Sequence, residues 1–332
     1  MRRKAPTSPN DSKAVPEAPL SRPSRKNPAP AQAGGSPAPA RAGDEATLKL
    51  TDRLADRLAG LVLGILLRLP YERRIAATGW LTGHVIGPLS PMRRRIRKNL
   101  AHVFPDMPRD EVRRLCRAVP DNVGRSFIEM FSGAEFVRRA AATPIEGPGY
   151  AAMIEAHEAG RPVILITGHF GNYEAGRAAL LARGMALGTL FKPMKNAAIN
   201  RRYVAAIEAN GKPMFPKDRA GMASMMRFLR EGGVLAMAID QFNRGGVPLD
   251  FLGKPAPTVL TAAELALKHD ALLVPGYAIR QPDGLRFRMV IEAPIPHGDP
   301  RIMTQALNDS LAAQVRENMD QWFWLHRRWV KH

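Results

Sequence analysis

The hydrophobic pattern of the chain divides it into three parts. Residues 1–46 hold almost no large apolar side chains among their Pro, Ala, Ser, Lys and Arg. Such a stretch cannot bury enough surface to offset the entropy of ordering, so we read it as a disordered basic leader. From about Leu48 to Arg139 apolar residues recur at intervals of three and four, the period of helices packed on one face. Pro70, Pro91 and Pro105 punctuate this stretch into three or four helices, and arginine clusters at 71–74 and 91–99 interrupt it.

From about Ile145 short apolar runs bounded by Gly, Pro or Asp take over, at 161–167, 185–191, 232–240 and 271–280, followed by an alternating run at 286–292. Helical patterns at 174–183, 197–210, 222–231 and 259–269 lie between them. Strands alternating with helices predict an α/β fold with a sheet flanked by helices. A last helix at 302–319 leads into the aromatic and basic ending DQWFWLHRRWVKH. The expected organisation is the leader 1–46 followed by one folded unit, 47–332, helical over 47–140 and α/β over 141–332.

Charge narrows the partners. Lys and Arg number 49 against 30 Asp and Glu, a formal +19 over 332 residues. That excess suits a polyanion: nucleic acid, an anionic membrane surface, or an acidic protein or phosphorylated substrate. Cys116 is the only cysteine, so no intramolecular disulfide can form, and a reducing compartment is expected. The basic N-terminus lacks the apolar core of a secretory signal. No uncharged apolar run reaches the roughly 18 residues of a spanning helix. The nearest, 58–70, is short and contains Arg68, and reads as an interfacial, amphipathic or core helix.

The candidate chemistry lies where the run VILIT meets GHFGNYE. His169 directly follows a strand, at the sheet edge where α/β folds carry reactive groups. Glu174 is five residues on, about 140° around a continuous helix, so the two meet only if His169 is on the turn and Glu174 in the first helical turn. Gly168, Gly171 and Asn172 supply the residues such a turn requires. A neutral imidazole oriented by a carboxylate can take a proton from a hydroxyl. No G-x-S-x-G is present to supply a nucleophile, so the attacking hydroxyl belongs to the substrate.

The bare spacing arises easily by chance; the surrounding blocks give it meaning. His169 to Glu174, the segment FKPMKNAAINRRY (191–203), the segment AIDQFNRGGVPLDFLGKPAPT (238–258) and the ending WFWLHRRW (322–329) together resemble the lipid A late acyltransferase family, relatives of glycerophosphate and mycobacterial mannoside acyltransferases. RRRIRKNLAHVFPDMPRDEV (93–112) is similar to that family's N-terminal helix. The resemblance runs in order from about Leu54 to Trp329. It departs at Lys192, where the family commonly has arginine, and in the leader.

The resemblance implies the glycerophosphate-acyltransferase-like fold, with a helical, membrane-associating part packed on a mixed, mostly parallel sheet. It implies transfer of a fatty acyl group from acyl carrier protein to a hydroxyl of a lipid A precursor, by direct transfer with no acyl-enzyme, on the cytoplasmic side of a Gram-negative inner membrane. The attachment would be peripheral or through a single N-terminal hydrophobic anchor. His169 would be the general base and Glu174 its orienting acid. Backbone N–H groups near Gly171 and the Asn172 side chain would receive the oxyanion, with a helix cap as the alternative for Asn172. Lys192, Lys195 and Arg244 would hold phosphates of the acceptor or of the carrier's arm. Asp240 would orient a base or the substrate, with an ordinary strand cap as the alternative. No metal and no cofactor are expected.

The arginine-rich helices and Trp322, Trp324 and Trp329 suit an anionic lipid surface, unless the tryptophans are core. Two other readings stay open at this point. One is O-acylation of another glycolipid or lipid alcohol. The other is a basic nucleic-acid-binding protein, for which no helix-turn-helix, RNP-like strand or zinc spacing is visible.

Overall fold

The computed structural model describes residues 50–193 and 197–329. The leader and Lys195 lie outside the described residues. Nine strands are described: β1 (Ile145–Glu146), β2 (Val163–Thr167), β3 (Leu187–Phe191), β4 (Met214–Pro216), β5 (Val234–Ala238), β6 (Val247–Phe251), β7 (Lys254–Thr258), β8 (Leu272–Arg280) and β9 (Phe287–Ile291). Seven of them form one sheet in the order β1-β9-β8-β2-β5-β3-β4, and β6 and β7 form a separate hairpin. The run β8-β2-β5-β3-β4 is parallel throughout, while β9 is antiparallel to β8.

β2 shows why the fold takes this form. Its apolar run is continuous because both faces are covered, as parallel strands require. Val163 and Leu165 join a cluster with Met153 and Leu180 on one face. Ile164 and Ile166 join another on the opposite face, with Met225, Ala263 and Leu307. The helices supplying these layers are α7 (Gly149–Glu158) and α8 (Tyr173–Ala182) on one side, and α10 (Arg219–Arg230), α11 (Thr261–Lys268) and α12 (Pro300–Glu317) on the other. Helix α9 (Ala197–Ala209) follows β3.

The N-terminal helices are α1 (Leu50–Leu67), α2 (Tyr71–Leu81), the short α3 (Gly87–Leu89), α4 (Met92–Val103), α5 (Arg109–Met130) and α6 (Gly133–Ala141), with a π-helical turn at Thr82–Ile86 before α3. Pro70 and Pro91 stand at the N-caps of α2 and α4, where a missing N–H costs nothing. Helix α5 is tied to β8 by a buried ion pair. Both guanidinium nitrogens of Arg280 reach Glu129, at 2.6 and 2.7 Å.

The tryptophan-rich ending is core. Trp322, Trp324 and Trp329 are each at most 5% exposed and pack on Ile96, Leu115, Phe251 and Leu311. The surface role that the sequence allowed them is therefore corrected: their rings fill the space between α4, α5, α12 and the hairpin. Among the described residues no helix is long and apolar enough to cross a membrane.

Candidate active site

β2 and β5 are neighbours, and their register pairs Thr167 with Ala238. Two residues beyond that pair stand His169 and Asp240, so two adjacent strands deliver an imidazole and a carboxylate to one point on the sheet's carboxyl edge. The chain leaves β2 towards β3 on one side and enters β8 on the other, which makes this a crevice of the kind where α/β folds bind ligands.

Asp240 is wholly buried. Its Oδ2 accepts the backbone N–H of His169 at 2.7 Å and the indole N–H of Trp322 at 2.9 Å. Its Oδ1 lies 2.8 Å from Nδ1 of His169. A carboxylate can only accept, so Nδ1 carries the proton and Nε2 turns its lone pair outward. The amide nitrogen of Gln241 sits 3.2 Å from that Nε2 and occupies the place of an incoming donor. Burial works against a charged His169, but the carboxylate and its hydrogen bond outweigh it and hold the imidazole above its ordinary range. Burial also opposes ionisation of Asp240; the His169 charge, the hydrogen bonds from His169 and the nearby His326 hold it far below the usual carboxylate range.

The C-terminal segment roofs this pair. The N–H of Phe323 donates to the His169 carbonyl at 2.9 Å. The His326 ring stands edge-on to that of His169, with centroids 4.6 Å apart. Asn99 on α4 clamps the segment, donating to the carbonyls of Trp324 (2.6 Å) and His326 (3.0 Å). Burial, helped by the charges of His169 and Arg328 against the pull of Asp240, pushes His326 down to about 4, so it is neutral near pH 7. Donor atoms of His169, Asp240 and His326 all lie within 4.8 Å of one another.

Glu174 is placed differently from the sequence expectation. The group facing Nδ1 is Asp240, and the Glu174 carboxylate pairs instead with Arg177, at 3.0 Å, with both side chains buried. In the first turn of α8 the Glu174 side chain runs along the helix to its i+3 neighbour, a spacing at which two side chains readily meet. Asn172 takes the capping role. Its Oδ1 accepts the N–H of Glu174 at 3.0 Å and one N–H of its Nδ2 donates to Glu129 at 2.7 Å, so both ends of its amide are engaged.

The backbone donors expected near Gly171 are engaged too. The N–H of Gly171 goes to the Gln321 carbonyl (2.9 Å) and that of Asn172 to the Ala278 carbonyl (3.2 Å). Gly171 itself is required: its φ is +54°, and a Cβ there would stand 1.9 Å from the Ala278 oxygen. Lys192 and Arg244 lie exposed just beyond β3 and β5, and neither has an ion-pair partner among the described residues. The sequence reading missed Gln241, Trp322 and His326. The available signal was that His169 and Asp240 each follow an apolar strand at the same distance.

An imidazole held by a carboxylate, with its second nitrogen facing only the exposed Gln241 amide at a sheet edge, is an arrangement that can take a proton from a hydroxyl or water. A family model described as bacterial lipid A biosynthesis acyltransferase matches residues 44–331, and the chain belongs to that family. It is an acyltransferase. It is 26% identical over 250 residues to a phosphatidylinositol mannoside acyltransferase of Mycolicibacterium smegmatis, covering 71% of this chain and 79% of that protein. It is 26% identical over 247 residues to the lipid A biosynthesis lauroyltransferase of Escherichia coli, again 71% and 79%. A lipid A biosynthesis acyltransferase of Haemophilus influenzae is 25% identical over 278 residues, 79% of this chain and 86% of that protein.

Proposed function

We propose that this enzyme transfers a fatty acyl group from the thioester of acyl carrier protein to a free hydroxyl of a lipid A precursor. The observation that carries the mechanism is the pair His169–Asp240, which fixes the base with its acceptor nitrogen outward. The acceptor hydroxyl displaces the Gln241 amide and gives its proton to Nε2 as its oxygen attacks the thioester carbonyl. Asp240 stabilises the imidazolium that forms. The tetrahedral intermediate then expels the thiolate, which takes the proton from Nε2. Ester and thiol leave, with no acyl-enzyme and no cofactor. Glu174, with Arg177, holds the start of α8 behind the histidine turn.

Lys192 and Arg244, exposed beyond the neighbouring strands and without an ion-pair partner among the described residues, suit the phosphates of the acceptor or of the carrier's arm. The formal charge of +19 suits both an acidic carrier and an anionic bilayer. Leu61, Val62, Ile65, Trp80, Ile86 and Leu89 are exposed on the N-terminal helices, and Arg93, Arg94 and Arg97 line a cleft beside Leu89. That combination supports peripheral binding to the cytoplasmic face of a Gram-negative inner membrane.

A second acceptor class is supported by one observation: the mannoside acyltransferase relative is as similar as the lauroyltransferase, so another glycolipid hydroxyl fits equally. The test is acyl transfer from acyl carrier protein to a lipid A precursor with free 3-hydroxyacyl chains, run beside phosphatidylinositol mannoside, with wild type and His169→Ala. Transfer to the first that is lost in the folded variant is the expected result. Transfer only to the second moves the acceptor, and no His169-dependent thioester chemistry overturns the proposal.

A further inference from the structure

The mechanism needs a donor for the tetrahedral oxyanion, and the main donors that the sequence nominated are engaged elsewhere. The N–H groups of Gly171 and Asn172 go to backbone carbonyls, and the Asn172 amide goes to Glu129. The Trp322 indole N–H goes to Asp240. His326 is different. Its Nε2 is buried with no hydrogen-bond partner among the described residues, beside the His169 imidazole. A buried polar atom left unpaired costs roughly 1–3 kcal/mol, so a native site that keeps one invites a reason.

The position is built. Asn99 holds the His326 carbonyl, Trp322 is anchored on Asp240 and Phe323 on the backbone of His169, so the backbone that carries the ring is tied to the site. The charged groups acting on it are Asp240, His169 and Arg328. A ring kept neutral retains one N–H and is spared a full positive charge beside His169 when that group becomes an imidazolium.

We infer that His326 is a second catalytic imidazole, which donates its Nε2–H to the oxyanion of the tetrahedral intermediate while His169 moves the proton. This rests on the acyl-transfer reading above and extends it. As the hydroxyl oxygen bonds to the thioester carbon, the carbonyl π pair moves onto its oxygen, and the His326 N–H meets that charge. When the C–S bond breaks the pair returns to the carbonyl, and the thiolate leaves with the proton from His169. His326 stays neutral throughout, a hydrogen-bond donor with no net proton transfer.

The test compares wild type, His169→Ala, His326→Phe and His326→Gln for acyl transfer, with melting temperatures measured in parallel. Phe keeps the ring and removes the donor; Gln returns an N–H at similar reach. Removing one oxyanion donor typically lowers kcat by about 10²–10³. His326→Phe is expected to lose about that much in kcat, with KM changed less than about threefold. Its melting temperature is expected to equal or exceed that of wild type, because an orphaned polar atom has gone. His326→Gln is expected to recover at least about tenfold over the Phe variant.

A His326→Phe enzyme within about threefold of wild-type kcat overturns the inference while leaving the acyl-transfer reading intact. Equal losses in the Phe and Gln variants, each matched by a lower melting temperature, also overturn it, because they make the ring a packing element. A folded wild type without His169-dependent transfer removes the parent reading and this inference with it.

Discussion

Asp240→Asn is the sharpest perturbation available, because it keeps shape and burial and changes only what the site can accept. In the native site two donors, the His169 backbone N–H and the Trp322 indole, converge on Oδ2, and His169 Nδ1 faces Oδ1. Asparagine has one acceptor oxygen. Setting it at the Oδ2 position satisfies two donors and turns the NH₂ towards Nδ1, which must then accept. The ring proton moves to Nε2, and the base is lost. The opposite flip keeps the correct tautomer but points the NH₂ at two N–H groups, at roughly 1–3 kcal/mol for each lost partner.

The imidazolium formed during turnover also loses its counter-charge, worth about 4 kcal/mol for unit charges near 4 Å at an effective dielectric of 20. Together these give about 4–6 kcal/mol, or three to four powers of ten in kcat. The assay is single-turnover acyl transfer from acyl carrier protein, with folding followed by circular dichroism. An Asp240→Asn enzyme within tenfold of wild type would refute the tautomer argument. A larger kcat loss in equally folded Glu174→Gln would return the orienting role to Glu174.

Four further outcomes follow from the same geometry. The His169 imidazole is held above its ordinary 6.5 and must be neutral to act, so kcat/KM should rise with pH through a limb above 6.5, and Asp240→Asn should move that limb to lower pH. His326 is depressed to about 4, so the unfolded chain binds a proton there from about pH 6.5 downward while the folded one does not. Stability should therefore fall as pH drops from 6.5 to 4, and urea midpoints of His326→Phe should lack that component. Glu174→Gln strands a buried Arg177 and should cost about 3–5 kcal/mol in urea unfolding, with adding Arg177→Met recovering part of it. Gly171→Ala should lose more than about 2 kcal/mol or fail to fold, since its Cβ would stand 1.9 Å from the Ala278 oxygen at a φ of +54°; an unchanged melting temperature would contradict the close approach.

The parallel sheet was legible because burial on both faces makes its strands continuous apolar runs, as at 163–167 and 272–280. The hairpin β6–β7 was not. Pro248, Pro255 and Pro257 argue against strands, yet a two-stranded ribbon has outer edges where a missing N–H is harmless, and Pro248 sits opposite Pro257. Its turn, Leu252–Gly253, has positive φ at both residues, which matches the strand twist but leaves only the glycine as a signal. The resemblance, not the periodicity, gave the acyltransferase class.

The carboxylate that orients His169 shows where reading along the chain fails. Glu174 was the obvious partner because it is five residues away, but helix geometry sends its side chain to Arg177. Asp240 is 71 residues away and reaches the imidazole because the sheet inserts β5 between β2 and β3. Equal overhang past paired strands then brings the two groups face to face. The ending WFWLHRRW follows the same logic: its tryptophans look like a membrane belt by composition, yet Trp322 is buried because its N–H completes the Asp240 shell, and His326 comes to the site with it. A proton-handling site assembled this way depends on three segments far apart in sequence. Loosening the C-terminal roof, as in Asn99→Ala, should therefore lower kcat although Asn99 touches neither His169 nor Asp240.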